Sequence, residues 1–352
     1  MSARDTDTVG DLFGAHRVIE PKGSLPQAAW RVDNDLSRTF ESELVIDVET
    51  LNVDAASFRQ MEEATAGEGT AGVARLVRET VAARGKQHNP VTGSGGMLLG
   101  RVARLGSART GDTAKVGDRI ATLVSLSLTP LALAHIGEVR PASAQLDVRG
   151  RAVLFATGLY AVMPADFPER LALAALDVAG AAPQVARICE EGQSVLVLGA
   201  GGKSGVICAV EARRRVGPRG VVVGVESYAP YAADLRALGV CDAVIEGDAR
   251  DPLAVRQAVL AATGGREVDR AVSCVNVEGA ELAAILCTRD RGSIYFFSMT
   301  TSFTRAALGA EGVGRDVDML VGNGFAHGHA EHTLALLRRE PAVRALFERR
   351  YG

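Results

Sequence analysis

Ser194-Val-Leu-Val-Leu-Gly-Ala-Gly-Gly-Lys-Ser-Gly-Val206 is the most informative stretch of this 352-residue sequence. A short apolar run, typical of a buried strand, leads into a glycine-rich turn and then into a helical segment. Such a unit binds a dinucleotide, because Gly199 permits the tight turn, Gly201 lets the backbone approach a pyrophosphate, and the first helical turn offers unpaired N–H groups. The third glycine is Gly205, so the spacing is G-x-G-x-x-x-G, one residue longer than the usual fingerprint.

A carboxylate follows at the distance that this interpretation requires. The next apolar strand ends in Glu226, 21 residues after Gly205. An acid there accepts hydrogen bonds from the adenosine 2′-OH and repels a 2′-phosphate, so NAD is favoured over NADP. The neighbouring Ser227 and Tyr228 leave NADP open. The residues predicted to bind the cofactor here are Gly199, Gly201, Gly202, Lys203, Ser204, Gly205 and Glu226.

Two other interpretations of the glycine-rich stretch are weaker. One is a tight strand–helix turn that binds nothing. The other is a P-loop, suggested by Gly202-Lys-Ser204, but that motif needs a glycine five positions earlier, where Val197 stands. The agreement of strand, glycines, helix and acid favours the dinucleotide.

The wider pattern predicts an α/β protein with two domains. From residue 194 to 298, apolar strands alternate with helical segments, which predicts a Rossmann doubly wound parallel sheet covered on both faces. Between Asn89 and Pro164, short apolar runs alternate with glycine-rich turns, which is typical of a small β-rich domain. Residues 54–84, 168–190 and 328–350 show helical spacing.

Composition excludes several classes of function. The net charge of −3 provides no basic surface for nucleic acid. The five cysteines have no C-x-x-C spacing, so neither a disulfide framework nor a structural zinc lobe is expected. The sequence has no apparent signal peptide and no run of about 18 apolar residues, which predicts a cytoplasmic protein without a membrane partner.

Further segments resemble a known superfamily. Residues 89–102 (Asn-Pro-Val-Thr-Gly-Ser-Gly-Gly-Met-Leu-Leu-Gly-Arg-Val) and 115–121 (Lys-Val-Gly-Asp-Arg-Ile-Ala) resemble the GroES-like catalytic domain of medium-chain dehydrogenases. Residues 268–276 (Val-Asp-Arg-Ala-Val-Ser-Cys-Val-Asn) and 292–298 (Gly-Ser-Ile-Tyr-Phe-Phe-Ser) resemble their Rossmann half. The resemblance implies a GroES-like, β-rich catalytic domain over residues 1–180, to which residues 319–352 return, and a Rossmann domain over residues 181–318.

The same resemblance implies residues around the nicotinamide. In this superfamily, the residues that follow the fourth and fifth Rossmann strands flank the ring, which implies Val275, Asn276, Phe297 and Ser298. Asp248, after the third strand, is expected either to touch adenine or to be an ordinary turn carboxylate.

The sequence departs from the superfamily at the metal. Glycines and a serine stand at positions 94–96, in place of the zinc-ligating His-Glu, and the first cysteine is Cys189. A catalytic zinc needs about three protein ligands, so no metal is expected. A second polar cluster, His327, His329 and His332, is expected to be a surface or an interface rather than a metal site.

The N-terminal sequence narrows the resemblance. Residues 14–34 (Gly-Ala-His-Arg-Val-Ile-Glu-Pro-Lys-Gly-Ser-Leu-Pro-Gln-Ala-Ala-Trp-Arg-Val-Asp-Asn), with the glycine-rich residues 93–100, resemble the diaminohexanoate dehydrogenases of bacterial lysine fermentation. This implies NAD-dependent oxidative deamination of 3,5-diaminohexanoate to 5-amino-3-oxohexanoate and ammonia. By analogy with such folds, a homodimer is expected. The alternatives are a zinc-free quinone or enoyl reductase and a non-catalytic nicotinamide sensor.

Four charged residues near the N-terminus are the candidate catalytic residues: His16, Arg17, Glu20 and Lys22. A substrate with one carboxylate and two ammonium groups needs charges of both signs, and amine oxidation needs a general base. Glu20 is expected to pair with an ammonium group, and Arg17 or Lys22 with the carboxylate. Lys22 or His16 is the candidate base, and Arg17 could lower the pKa of the lysine. The open alternative is an ion-pair network that braces the N-terminal loop.

Overall fold

The computed structural model describes residues 6–298, 300–322 and 324–352. Their internal contacts divide the chain into two compact units, Met1–Ala165 and Asp166–Gly352. Each unit contains a hydrophobic core cluster of its own. The division lies before residue 180, the boundary that the sequence suggested, because the helical segment after Asp166 packs with the second unit.

The first unit is built mainly from antiparallel strands. Its helices are α1 (Thr6–Val9), α2 (Ala55–Ala64) and α3 (Gly69–Arg84). Its strands are β1 (Val18–Glu20), β2 (Arg31–Val32), β3 (Leu44–Asn52), β4 (Met97–Leu105), β5 (Arg119–Thr122), β6 (Leu131–Arg140), β7 (Gln145–Leu154) and β8 (Tyr160–Val162). Strands β1 and β2 pair with each other, and the others form an antiparallel sheet in the order β6-β7-β3-β4-β5-β8. This confirms the predicted β-rich domain.

Helix α3 contributes one face of this unit's core. Val73, Val77 and Val81 recur every four residues, so they lie on one side of the helix, and all three are buried with apolar side chains of the sheet. The helix ends at Gly85, whose φ of 69° is the left-handed conformation that glycine adopts most readily. The helical segment predicted over residues 54–84 is thus two helices. Strand β6 was not predicted, because its burial does not alternate regularly.

The second unit is an α/β layer structure. Its helices are α4 (Glu169–Asp177), α5 (Ala181–Ile188), α6 (Lys203–Val216), α7 (Ala229–Leu238), α8 (Pro252–Ala262), α9 (Glu281–Cys287), α10 (Phe303–Gly312), α11 (His329–Arg339) and α12 (Pro341–Tyr351). Its strands are β9 (Ser194–Leu198), β10 (Val221–Glu226), β11 (Ala243–Glu246), β12 (Val268–Ser273), β13 (Thr288–Phe296) and β14 (Val317–Val321).

The strands of the second unit form a parallel sheet in the order β11-β10-β9-β12-β13-β14. Numbered along the chain within this unit, that order is 3-2-1-4-5-6, the Rossmann arrangement that the sequence predicted. The chain winds outward in both directions from β9, so the carboxyl end of β9 is the topological switch point where such sheets bind ligands. Four of the five residues of β9 are buried, as its apolar sequence predicted.

The C-terminal helices differ from the sequence-based expectation. Residues 319–352 were expected to return to the first domain, but α11 and α12 belong to the second unit, where they contact α4, α5, α6 and α7. The hydroxyl of Thr333 donates to the carbonyl of Ala179 at 2.8 Å, which fixes α11 beside α5. An amphipathic helix shows in its sequence that it packs, but not against which partner. Helix α10 and strand β14 were not predicted either.

Within the described part of the chain, no single helix is both long and apolar enough to cross a membrane. Only α4 and α5 taken together have sufficient length and apolar composition, and they are bent by 45° relative to each other. Most of the apolar side chains of these two helices are buried in the structure.

Candidate functional site

The glycine-rich turn after β9 has the conformation that its sequence predicted. Gly199 has a φ of 70°, and a Cβ there would lie 3.2 Å from the carbonyl carbon and oxygen of Cys274. The N–H groups of Gly199 and Ala200 donate to the carbonyl of Val225 at 2.9 and 3.0 Å. The turn is therefore tied to β10 on one side and closely packed on β12 on the other, which leaves little room for any residue but glycine.

The longer spacing to the third glycine does not change its role. A Cβ on Gly205 would lie 2.0 Å from the carbonyl oxygen of Gly199, so only glycine lets the start of α6 pack this closely on the turn. Gly201 is similarly constrained, because a Cβ there would lie 2.7 Å from Cβ of Tyr231 and 3.0 Å from Oε2 of Glu226. The extra residue is accommodated in the turn without loss of the close helix–strand contact.

The first turn of α6 is available to a phosphate. Gly202 is the residue before the helix and, as a glycine, has no side chain that could cap its first N–H groups. The N–H groups of Lys203, Ser204 and Gly205 lie in the first turn, where a helix offers no internal acceptor. These N–H groups and the positive end of the helix dipole form the kind of site that binds a pyrophosphate.

Glu226 stands at the carboxyl end of β10 and is buried. Its Oε2 accepts the N–H of Gly201 at 3.0 Å, and its Oε1 accepts the N–H of Tyr228 at 3.0 Å. Each carboxylate oxygen has roughly two acceptor positions, so one position on each remains for a ribose hydroxyl. The predicted acid is therefore held beside the glycine turn in a form that can still accept hydrogen bonds.

The residues expected around the nicotinamide follow the neighbouring strands. Val275 and Asn276 follow β12, and Phe297 and Ser298 follow β13. Because β12 pairs with β9 and β13 pairs with β12 in parallel, all four lie at the same edge of the sheet as the glycine turn. The hydroxyl of Thr300 links the two segments, since it lies 2.8 Å from the Ser298 hydroxyl and 3.3 Å from the Val275 carbonyl.

Asp248 lies in the turn after β11 and pairs with Arg250. The guanidinium donates to both carboxylate oxygens, at 2.6 to 3.0 Å, and these hydrogen bonds lower the pKa of Asp248. The N–H of Arg250 also donates to Asp248 at 2.9 Å. These contacts favour the ordinary turn carboxylate over a residue that recognises adenine.

The C-terminal helix contributes a residue to the glycine turn that sequence reasoning missed. Arg350 of α12 donates to the carbonyl of Gly201 at 2.6 Å and to Asp234 at 2.6 Å, and its guanidinium stacks 3.8 Å from the ring centre of Tyr231. Lys203 pairs with Asp177 at 2.7 Å. No local motif marks an arginine that lies 149 residues from its partner in the chain.

In the first unit, two of the four candidate catalytic residues bind the same buried glutamate. Arg17 is fully buried and donates to Glu43 through Nε at 2.6 Å and Nη2 at 2.8 Å, while Nε2 of His16 lies 2.9 Å from the same carboxylate. Burial alone would raise the pKa of Glu43, but hydrogen bonds from Arg17, His16 and the N–H of Phe40 outweigh it and lower the pKa to about 2. These contacts favour the bracing network that the sequence left open. Glu43 had not been singled out, because it lies 26 residues from Arg17.

The other two candidates have a different environment. Glu20 ends β1 and Lys22 lies in the turn that follows, and both are exposed. Among the described residues, neither side chain has a hydrogen-bond or ion-pair partner. The carbonyl of Glu20 accepts the N–H of Trp30 at 2.7 Å, so the backbone of this turn is held in place. The structure thus brings His16 and Arg17 together on Glu43 and leaves Glu20 and Lys22 at the surface.

The histidines near the C-terminus contact protein groups. The rings of His327 and His329 pack edge-on against Phe325, and burial lowers the pKa of His329. Nε2 of His332 lies 3.4 Å from Glu211. Within residues 6–298, 300–322 and 324–352, no group of three or more His, Cys, Asp or Glu side chains is positioned to hold a metal ion.

Taken together, the fold and the site define a class of protein. A doubly wound parallel sheet with a glycine turn and an acid at its switch point, and a separate antiparallel β unit, are the parts of a medium-chain-type nicotinamide dehydrogenase. A solved mycobacterial quinone oxidoreductase shares this fold, with a TM-score of 0.54 over 91% of this chain and 86% of that one, at 18% sequence identity.

More similar relatives give the family. The L-erythro-3,5-diaminohexanoate dehydrogenases of Acetoanaerobium sticklandii and Fusobacterium nucleatum are 52% and 50% identical over 343 residues, which is 97% of this chain and 99% of each relative. The family model for the N-terminal domain of L-erythro-3,5-diaminohexanoate dehydrogenase matches residues 16–164. The chain therefore belongs to the L-erythro-3,5-diaminohexanoate dehydrogenase family. It is an oxidoreductase, and its cofactor is a nicotinamide dinucleotide.

Proposed function

We propose that the protein oxidatively deaminates L-erythro-3,5-diaminohexanoate to 5-amino-3-oxohexanoate and ammonia, with NAD as the acceptor. Both relatives that are at least 50% identical over nearly their whole length carry the name of this activity. The observation that favours NAD is Glu226, whose buried carboxylate lies beside the glycine turn and would repel a 2′-phosphate. The glycine turn after β9 and Glu226 would hold the NAD, which would supply the acceptor for the hydride that leaves C3 of the substrate; hydrolysis of the resulting C=N bond by water would release ammonia.

The contacts of the four N-terminal candidates support a division of roles. His16 accepts the N–H of Asp11 at Nδ1 at 2.8 Å and contacts Glu43 through Nε2, so both ring nitrogens are already used. We infer that His16 and Arg17 brace the N-terminal loop. Glu20 and Lys22 keep their charged groups free, and we assign Glu20 to a substrate ammonium group and Lys22 to proton transfer. Replacing Glu20 with glutamine should then raise KM for the diamino acid about tenfold. Lys22→Met should lower kcat for NADH formation, whereas the matched control Lys115→Met, at another exposed lysine, should leave it unchanged.

Catalysis without zinc is part of this proposal. Either Ser94 and Gly95 or Gly95 and Gly96 stand where the superfamily has its metal ligands, and a Cβ at Gly95 or Gly96 would lie 2.2 Å from a backbone carbonyl oxygen, that of Gln87 or Asn52. A histidine or glutamate side chain does not fit there without movement of the backbone. We therefore expect a chelator to leave the rate unchanged, and loss of activity that added zinc restores would refute this part.

Formation of NADH tests the central proposal. The purified protein is given NAD with L-erythro-3,5-diaminohexanoate, lysine or 3-hydroxybutyrate. We expect NADH only from the diamino acid, with an optimum at alkaline pH, because the reacting amine must lose its proton. Equal rates with lysine, or no NADH from the diamino acid, would contradict the assigned substrate. Faster turnover with NADP would contradict the assigned cofactor.

We also propose that the protein is a homodimer that pairs through β14. This strand is at the edge of the parallel sheet, and Leu320 and Val321 are exposed on it. Unpaired edge strands with exposed apolar residues tend to pair with another chain. Val321→Lys should lower the mass measured by light scattering to that of one chain. Leu253→Lys, at an exposed apolar position on α8, should leave the mass unchanged, and an unaltered dimer in Val321→Lys would exclude this edge.

A further inference from the structure

A second group of charged side chains follows helix α3 in the first unit. Arg84, Lys86 and His88 occupy alternate positions over five residues, next to the turn that Gly85 makes at the end of the helix. Lys86 is fully buried, Arg84 is 9% exposed and His88 is half-buried. Three nitrogen bases that can carry positive charge are thus withdrawn from water within one short segment.

The contacts of these residues hold them in position but do not neutralise them. Nζ of Lys86 donates to the carbonyls of Pro26 at 2.6 Å and Gln27 at 3.4 Å. Arg84 donates to the carbonyl of His88 at 3.3 Å, and its guanidinium lies 3.9 Å from the ring centre of Trp30. Among the described residues, no carboxylate lies within ion-pair distance of Arg84 or Lys86. A buried cation without a counter-ion is costly, so this arrangement calls for an anion.

Two polar atoms of the same segment also have no partner. Oε1 of Gln87, a residue that is 1% exposed, and Nδ1 of His88 are buried without a hydrogen bond. Buried polar atoms are nearly always hydrogen-bonded in folded proteins. Gln87 therefore offers a free buried acceptor next to Lys86 in the chain. An anion alone would not use that acceptor, whereas a ligand that carries both a carboxylate and an ammonium group would use both.

The electrostatic balance agrees with this geometry. Burial, with a contribution from Arg84, lowers the pKa of Lys86 to about 8. Burial, Lys86 and Arg84 together lower the pKa of His88 to about 4, and burial lowers the pKa of Arg84. The charged groups that act on Lys86 are therefore cationic, and the facing loop at residues 26–27 provides only carbonyl oxygens. A bound carboxylate would reverse this unfavourable field.

We propose that Arg84 and Lys86 bind the carboxylate of the substrate, and that Oε1 of Gln87 accepts a hydrogen bond from its C3 amine. This assignment rests on the proposed function and gives these residues the role that the sequence assigned to Arg17 or Lys22. Only the C2 methylene lies between the carboxylate carbon and C3, the carbon that bears the amine, so adjacent residues can bind both groups. Trp30 holds the guanidinium plane in position for the carboxylate, which suits the paired hydrogen bonds that arginine makes.

The first test needs no variant. Binding of the carboxylate requires protonated Lys86, so KM for the diamino acid should rise up to about tenfold per pH unit above pH 8. The amide of the same diamino acid lacks the negative charge that Lys86 would bind. Deprotonation of the substrate amines affects the acid and the amide alike, so the KM of the amide should show only that effect and not the additional rise above pH 8. A parallel rise for acid and amide would overturn the assignment.

Two substitutions at Lys86 separate binding from folding. Lys86→Met should raise KM for the diamino acid about 10- to 100-fold and leave KM for the amide nearly unchanged. Lys86→Arg should keep a low KM and remove its rise above pH 8, because arginine stays protonated. A merely structural lysine would affect acid and amide equally. Lys115→Met, at an exposed lysine of the same unit, should behave as the unaltered protein.

Further measurements keep the outcomes distinct. The affinity for NADH should be the same in Lys86→Met as in the unaltered protein, and a large loss would mean that the anion is a cofactor phosphate. If Lys86→Met does not fold, Arg84→Met and the pH profiles of the unaltered protein decide. If the unaltered protein forms no NADH from the diamino acid, the proposed function fails. If it does form NADH, but the Lys86 and Arg84 variants change KM for the acid and for the amide equally, only this inference fails.

Discussion

Glu43 of the first unit and Glu226 of the second are both buried carboxylates, but they accept different numbers of hydrogen bonds from the rest of the protein. Oε1 of Glu43 lies within hydrogen-bond distance of Arg17 and His16, and Oε2 accepts from Arg17 and the N–H of Phe40. Each oxygen of Glu226 accepts a single backbone N–H. Because a carboxylate oxygen has about two acceptor positions, Glu43 is saturated and Glu226 is not.

This difference separates a structural carboxylate from one that can bind a ligand. Saturating Glu43 requires two basic side chains, and they are the residues that looked catalytic in the sequence. Glu226 is held only by backbone groups, which position it without using its remaining acceptor positions. Counting free acceptor positions therefore distinguishes the two regions better than charge does, and the two regions should respond differently to substitution.

The largest effect is expected at the turn that Glu226 supports. In Gly205→Ala, the added methyl group would lie 2.0 Å from the Gly199 carbonyl oxygen, so the start of α6 must move away from the turn. We expect Kd for NADH to rise at least about 100-fold and stability to fall by roughly 1–3 kcal/mol. Titration with NADH checks this. Gly312→Ala, where a Cβ meets no atom within 4 Å, is the control and should bind NADH normally. Normal binding by Gly205→Ala would show that the turn does not hold the cofactor.

The next effect concerns Glu43. Arg17→Met leaves a buried carboxylate without its main partner, which should lower the free energy of unfolding by about 3–5 kcal/mol. Urea unfolding measures the loss. The double variant with Glu43→Gln should recover part of it, because the uncompensated charge is then removed. If Arg17→Met is as stable as the unaltered protein but has lost turnover, Arg17 would instead be a residue that binds the substrate.

A pH titration sharpens the same point. The pKa of Glu43 is about 2 in the folded protein against an ordinary value of 4.5. Since the folded value is the lower one, the stabilisation is fully present above about pH 5 and is lost as the pH falls towards 2. It amounts to roughly 3 kcal/mol. Glu43→Gln should therefore lose less stability than the unaltered protein over that interval, whereas Glu63→Gln, on an exposed part of α2, should follow the unaltered protein. Identical curves for Glu43→Gln and the unaltered protein would contradict the bracing role.

Local patterns predicted the second unit better than the first. The strand, the glycines and the acid within residues 194–226 contact one another. Their spacing in the sequence was therefore enough to predict the geometry of the turn, including the role of the displaced third glycine. Arg17 meets Glu43 across 26 residues, and Lys86 meets the carbonyl of Pro26 across 60. Such contacts depend on how the chain folds back, which no short pattern encodes. For the same reason, no local pattern indicated that Arg350 contacts the glycine turn or that α12 packs in the second unit.

The smallest effect separates NAD from NADP. Glu226→Gln keeps one oxygen that can accept the N–H of Gly201 or of Tyr228, but it removes the charge and one acceptor. We expect Kd for NADH to rise about tenfold and Kd for NADPH to change little or fall, because a 2′-phosphate no longer meets a carboxylate. Glu246→Gln is the control, since Glu246 ends the neighbouring strand β11 and pairs with Arg236. An unchanged ratio of the two Kd values in Glu226→Gln would show that the free acceptor positions of this carboxylate do not face the ribose, and the contrast with Glu43 would then lose its functional meaning.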